Sequence, residues 1–210
     1  MAGTKDRILD GSLELFNSRG VQAVTTNHIA DHLEMSPGNL YYHFRSKEHI
    51  IRSLFERIDA TAREVMAPLS APVTPQQWAE VFLHGLDTVW RYRFFFANIV
   101  EIAGRDELLA ARLRGLTAWI LDWTTTAIDA LIEQGSMTAL PHDDRRRLAE
   151  DVFIIIWNWT SFTVAFRGPT RLHELDAREG VLHSMLLLMP HFEPQFAERV
   201  QTAIDHATAG

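Results

Sequence analysis

The chain has 210 residues and no cysteine. Disulfides, thiolate metal sites and a cysteine nucleophile are excluded, and a reducing compartment fits. Long apolar runs are missing as well. The run at residues 152–159 is far too short to span a bilayer, which takes about 20 apolar residues. Residues 1–10, MAGTKDRILD, are charged and hold no apolar stretch of signal-peptide length. A cytoplasmic location is expected. There is no nucleophile elbow, no glycine-rich phosphate loop and no metal-ligand set, so an enzyme is not expected. No cofactor and no metal are expected either. Strand-type alternation, internal repeats and low-complexity segments are also absent. What remains is helical.

Hydrophobic residues make up 47% and charged residues 22%, the composition of a soluble globular protein. The length suits one large domain, or a small one plus a larger one. The formal net charge is -7, unfavourable in total for a polyanionic partner. Distribution matters more than total. Residues 36–52 carry Arg45, Lys47 and Arg52 against Glu48 alone, and the acidic excess lies later in the chain.

The organising stretch is residues 25–47, TTNHIADHLEMSPGNLYYHFRSK. Thr25 or Thr26 can cap a helix whose Ile29, Ala30 and Leu33 form one apolar stripe. Glu34 and Met35 turn the chain. Ser36-Pro37 restarts it, with serine at the N-cap and proline at the first helical position. The second helix is too short to persist alone. Leu40 and Phe44, four residues apart, anchor it by packing. Gly38, Asn39, Tyr41, Tyr42 and His43 then point elsewhere. A small propped helix with polar and aromatic donors suits the DNA major groove, which is about 12 Å wide. Ser46 caps a further helix, and Lys47 in its first turn is expected to help bind a phosphate there.

The run T-x-x-I-A-x-x-L-x-x-S-x-G-x-L-Y-x-H-F-x-x-K at residues 26–47 resembles the DNA-binding signature of the TetR/AcrR family of bacterial regulators. The run I-L-x-x-S-L-x-L-F-x-x-x-G at residues 8–20 is similar to that family's first helix. Together they cover about the first quarter of the chain. Glu34 departs from the pattern, which usually has glycine there. If the position needs positive φ, the departure costs on the order of 1 kcal/mol. The resemblance implies double-stranded DNA, as a pseudo-palindromic operator, for a partner. Phosphate contacts are assigned to Tyr42, Lys47 and Thr25 or Thr26. Base reading is assigned to Ser36, Gly38, Asn39, Tyr41 and His43. His28 and His32 stand four apart like half a metal site, but no third ligand is near. His32 reads as a surface or packing residue, and His28, at a helix start, as a further candidate phosphate contact.

Helical periodicity continues to the end of the sequence, so the fold class is all-α. The expected helices are residues 4–19, one from 47 toward 66, 75–90, 92–103, 106–134, 143–166, 174–189 and 193–207. Residues 1–50 are expected to form the three-helix DNA-binding head. Residues 51–210 are expected to form a larger domain for ligand binding and dimerisation. Residues 152–166 are apolar almost all round, which suits a helix buried on every side. The penultimate helix is similar. A second copy of the chain would cover both as a four-helix interface. Phe153, Trp157, Val164, Leu182, Met185, Leu186 and Met189 are its candidate residues.

Aromatic residues concentrate on the central helices, where a few polar groups among them can line a ligand cavity. Trp90, Phe94, Asn98, Trp119, Trp123, Asn158 and Phe162 are the candidates. In the TetR family a small molecule bound here is thought to spread the two DNA-reading heads. The expected function is therefore a ligand-responsive, sequence-specific transcriptional regulator, acting as a repressor released by a small, largely apolar effector. The alternative is a regulator whose C-terminal part is a protein-interaction module. A core filled to native density would favour that alternative, and a cavity would favour the first.

Overall fold

The computed structural model describes residues 3–66, 72–168 and 174–208, except for the side chains of 174–178, 181, 207 and 208. The helices run in chain order: α1 (Thr4–Arg19), α2 (Thr26–His32), α3 (Pro37–His43), α4 (Lys47–Met66), α5 (Pro75–Arg91) and α6 (Arg93–Ala97). They continue as α7 (Ile99–Arg105), α8 (Glu107–Glu133), α9 (His142–Phe162), α10 (Glu174–Leu188) and α11 (Pro194–Thr208). No strand occurs among the described residues; a single bridge joins Met137 to Phe192.

The helix starts follow their capping chemistry. Thr25 caps α2 by accepting from the His28 N–H at 3.2 Å. The His28 ring returns the favour, its Nδ1 accepting from the Thr25 N–H at 3.3 Å. A histidine thus fills the reciprocal position usually held by glutamate or glutamine. Ser36 caps α3 through the Asn39 N–H, with Pro37 in the first turn. Thr74 and Gln77 form a second reciprocal cap at α5, and Asp106 caps α8.

Two expected helices are interrupted. The helix expected at 92–103 is split at Asn98. There the Asn98 Nδ2 donates to the Phe94 carbonyl at 2.8 Å, the acceptor that a continuing helix would give to the Asn98 N–H. That N–H bonds Phe95 instead. Asparagine's amide competes with the backbone and ends the turn. The helix expected at 143–166 is α-helical only to Phe162; Thr163–Arg167 is a π-helical turn closed by Gly168 at φ 93°.

Packing divides the core into two connected parts. The first joins α1 to α4 with Tyr92, Phe94, Phe95, Phe96, Ile102 and Leu109. Phe16 meets Phe94 at 5.2 Å and Phe55 meets Phe95 at 5.6 Å between ring centroids. The second is built from α5, α8, α9, α10 and α11. Polar ties cross the same junction. The Asn17 amide donates to the Arg91 carbonyl and accepts from the Phe94 N–H. Arg52 of α4 donates to Asp106 at 2.5 Å, while the other oxygen of Asp106 caps α8. Within the first part, Arg57 of α4 bridges Asp6 and Asp10 of α1. Its guanidinium pKa is raised: burial alone would lower it, and the two carboxylates outweigh that. The head is therefore fastened to the rest of the chain through α1 and α4.

Candidate DNA-reading head and ligand cavity

Leu40 and Phe44 are fully buried, so α3 is held by the i, i+4 anchor its sequence contains. The opposite side faces solvent. Tyr42 is 84% exposed and Tyr41 47%, and Ser36, Gly38 and Asn39 are exposed beside them. The Tyr41 hydroxyl lies 3.1 Å from the Thr26 hydroxyl, which joins α3 to the start of α2. Tyr42 and His43 meet edge-on at 5.1 Å. The expected base readers Ser36, Gly38, Asn39, Tyr41 and His43 and the expected phosphate contact Tyr42 are thus gathered on one short helix and its N-cap. Thr25 is exposed at the neighbouring α2 start. Between the two helices, Glu34 sits at φ 51°.

Lys47 is placed differently from the free phosphate ligand expected. Its ammonium donates to the Val21 carbonyl at 2.8 Å and the Val24 carbonyl at 3.0 Å, so it fastens the loop leading into α2. One of its three donors remains. The start of α4 is met from within the chain by Glu48. A backbone N–H holds the Glu48 carboxyl below its usual range; burial opposes this, and Ser46 adds to it. His28, a candidate phosphate contact, is engaged in its cap and lies 3.2 Å from the Ala23 carbonyl. His32 meets Glu14 at 3.2 Å on the surface.

A cavity of about 110 Å³ lies between α4, α5, α8 and α9. α4 contributes Ile58, Thr61, Ala62, Val65 and Met66. Trp78, Phe82, His84, Gly85, Thr88 and Val89 come from α5. The remaining walls include Phe96, Ile120, Trp123, Phe153, Ile156 and Trp157. The lining is almost wholly apolar.

Residues 44–200 match the family described as Bacterial transcriptional repressor, TetR, and residues 8–54 match Bacterial regulatory proteins, tetR family. A TetR-family regulator from Marinobacter aquaeolei VT8 of known crystal structure is 32% identical, with 98% of each chain covered and a TM-score of 0.86. The chain belongs to the TetR family of bacterial transcriptional regulators. Among curated relatives, the regulator QacR of Staphylococcus aureus is 50% identical over 46 residues, 22% of this chain and 24% of QacR. The repressor KstR2 of Rhodococcus jostii is 36% identical over 70 residues, 31% of this chain and 34% of KstR2. The match thus spans about a quarter to a third of the length of these curated relatives, the share a DNA-reading head occupies.

In this TetR-family chain, Trp123 is the one expected pocket residue that borders the cavity. Phe94 is buried against Phe16 instead. Trp90 and Trp119 are covered by the Arg93 and Arg63 guanidinia, at 4.4 and 4.6 Å from the ring centroids. Asn98 is spent on the backbone break. Asn158 lies on a separate groove with Ile99, Val100 and Leu113. Phe162 is exposed between Trp159 and Phe166. Phe153 and Trp157, expected at a dimer face, stack at 4.7 Å and border the cavity. The other expected dimer residues flank α9 and α10. Leu182 and Leu186 are exposed alongside Ile154, Phe162 and Phe166. Val164 and Met189 are half-buried, and Met185 is buried.

Sequence reasoning missed Trp78, Phe82, Gly85 and Val89. They recur at 4, 3 and 4 residues along one face of α5, with a glycine where a large side chain would close the gap. That small residue among aromatics was the available signal. No helix of the described residues is long and apolar enough to cross a membrane.

Proposed function

We propose that this chain is a homodimeric repressor whose hold on its operator responds to a small, largely apolar molecule in the α4–α9 cavity. The observation that carries the reading is the shared wall: five residues of α4 border the cavity, and α4 begins just after the reading helix α3. A ligand that prefers one tilt of α4 shifts the spacing of the two heads in a dimer. The shift is limited to its differential affinity for the two arrangements, and DNA affects ligand binding reciprocally.

In this reading residues 1–50 form the DNA-binding head and residues 51–210 the ligand and dimer unit. Tyr42 and the α2 start at Thr25 and Thr26 contact phosphate, with the remaining donor of Lys47. Ser36, Gly38, Asn39, Tyr41 and His43 read bases. The exposed apolar residues Ile154 and Phe162 on α9 and Leu182 and Leu186 on α10 support a two-fold interface, because large apolar side chains left exposed together on a monomer are a liability. Half-sites would lie about 34–36 Å apart or at a multiple of that spacing.

The cavity favours this reading over a protein-interaction module, which a filled core would suit. Titrating an operator complex with apolar aromatic compounds tests it. Concentration-dependent release, lost when Gly85→Leu fills the cavity, supports ligand control. Compounds that neither release nor tighten the complex favour the interaction module.

A further inference from the structure

The head has little positive charge to offer a polyanion. Residues 1–50 hold five lysines and arginines against six aspartates and glutamates. Phosphates are met by cations, and the fold has already used most of these. Lys47 is bonded to the Val21 and Val24 carbonyls. Arg7 donates to the Leu33 carbonyl at the end of α2. Lys5 lies over the Phe44 ring, 5.7 Å from its centroid. Just beyond the head, Arg52 is paired with Asp106, and Arg57 with Asp6 and Asp10. Arg19 and Arg45 remain. Both are exposed, and neither has a hydrogen bond or ion pair among the described residues.

Their places differ. Arg19 ends α1, two residues after Asn17, whose amide is bonded to Arg91 and Phe94 outside the head. Arg45 stands on the short connection between α3 and α4. Phe44 before it is fully buried, and the Ser46 hydroxyl after it accepts from the His49 N–H at 3.2 Å. Both neighbours are held, so the chain delivers Arg45 to a set place at the end of the reading helix. Tyr42, 84% exposed, lies three residues earlier. A guanidinium is always charged, and its fork matches two phosphate oxygens.

We propose that Arg45 is a DNA-backbone contact: its guanidinium donates to a phosphate flanking the groove that α3 enters, and it supplies this charge in place of the engaged Lys47. The inference rests on residues 25–47 being the DNA reader and adds a residue to its phosphate contacts. A phosphate contact adds affinity for every sequence and selects none.

The test uses the full chain, one duplex selected from a random pool and one unrelated duplex of equal length. Arg45→Gln should weaken binding to both about 10-fold, the lower end for a charge-assisted hydrogen bond. It should also reduce the slope of log affinity against log salt by about 0.9, the share of one phosphate on duplex DNA. Arg45→Lys should keep the slope and recover part of the affinity, because the charge stays and the fork is lost. The Tm of Arg45→Gln should equal the parent's, since no internal contact is broken. Arg19→Gln removes the same charge from the other unpaired arginine and should leave the slope unchanged. A parental slope in Arg45→Gln overturns the contact and leaves the DNA reader standing. An equal reduction in Arg19→Gln does the same, because it assigns the effect to net charge. A loss confined to the selected duplex overturns the phosphate role in favour of base reading. A lowered Tm places Arg45 in a contact within the chain and overturns the proposal as well. An intact protein that selects no duplex overturns the reader itself, and the inference with it.

Discussion

Gly180 on α10 lies against Trp159 on α9, and replacing it with alanine measures how closely these helices pack. A Cβ placed at Gly180 would stand 2.6 Å from Trp159 Cγ, 2.8 Å from Cδ1 and 2.9 Å from Cβ. Ordinary contact begins near 3.4 Å, so the indole would have to retreat by most of an ångström. It has little freedom to do so. The His183 ring lies tilted against it at 4.7 Å, Phe162 lies at 5.5 Å, and the Arg167 guanidinium covers it at 5.2 Å. With three contacts under 3.0 Å against a held ring, overpacking here costs about 2–3 kcal/mol, the upper part of its usual range. Alanine's better helix propensity returns up to about 1 kcal/mol. The net expectation is a loss of about 1–2 kcal/mol, a fall in Tm of roughly 2–8 °C for a chain of this size. Thermal unfolding by circular dichroism at several protein concentrations reads it. If α9 and α10 also form the interface of a dimer, the deficit grows on dilution. Gly11→Ala is the control. Its Cβ would approach Leu33 Cδ2 at 2.6 Å, the free end of a flexible side chain, and should cost less. An unchanged or higher Tm for Gly180→Ala would refute the close α9–α10 contact.

Glu34→Gly should raise stability by up to about 1 kcal/mol, because φ 51° strains a side chain while glycine's extra unfolded freedom offsets part of the gain; urea unfolding reads it. Lys47→Met should lower stability by about 1–3 kcal/mol, since the Val21 and Val24 carbonyls lose a charged donor. The same variant should weaken binding to all DNA sequences alike; a Tm equal to that of the parent would mean the ammonium is not engaged with those carbonyls. His49 is pushed below its ordinary pKa first by burial and then by Arg52 and Lys5. The unfolded chain then binds more protons than the folded one as pH falls through about 6.5, so stability drops below that pH. In His49→Gln the drop between pH 7.5 and 5.5 should be shallower; identical profiles would remove His49 as a cause.

The head was legible because its determinants are local. Thr25, Ser36, Pro37 and Ser46 state where helices begin, and Leu40 and Phe44 state which side of α3 is held. Tyr41 and Tyr42 follow as the exposed remainder. Glu34 was legible as the departure from a glycine position, and its positive φ bears this out. The identity of the α2 cap was not. Choosing Thr25 over Thr26 depends on His28 reaching back, a role more often given to glutamate.

The cavity was hidden for a different reason. Periodicity tells which face of a helix turns inward but not whether facing walls meet. Phe94 and Trp123 have the same local pattern, yet one is pressed onto Phe16 and the other borders open space. Trp90 and Trp119 are occupied by arginines from neighbouring turns or helices, contacts that no spacing rule gives. Phe153 and Trp157 are one turn apart on an apolar helix, and that pattern suits a cavity wall as well as an interface. The break at Asn98 is visible in hindsight as a short amide in the middle of an aromatic helix.

The most direct measurement is selection of bound duplexes from a random DNA pool by the purified protein at two salt concentrations. A pseudo-palindrome with half-sites about one helical turn apart, or a multiple, should emerge. Its affinity should fall steeply with salt as phosphate contacts release counterions. Failure to enrich any sequence, after bound molecules have been stripped and the protein refolded, would contradict the assignment of residues 25–47 as the DNA reader.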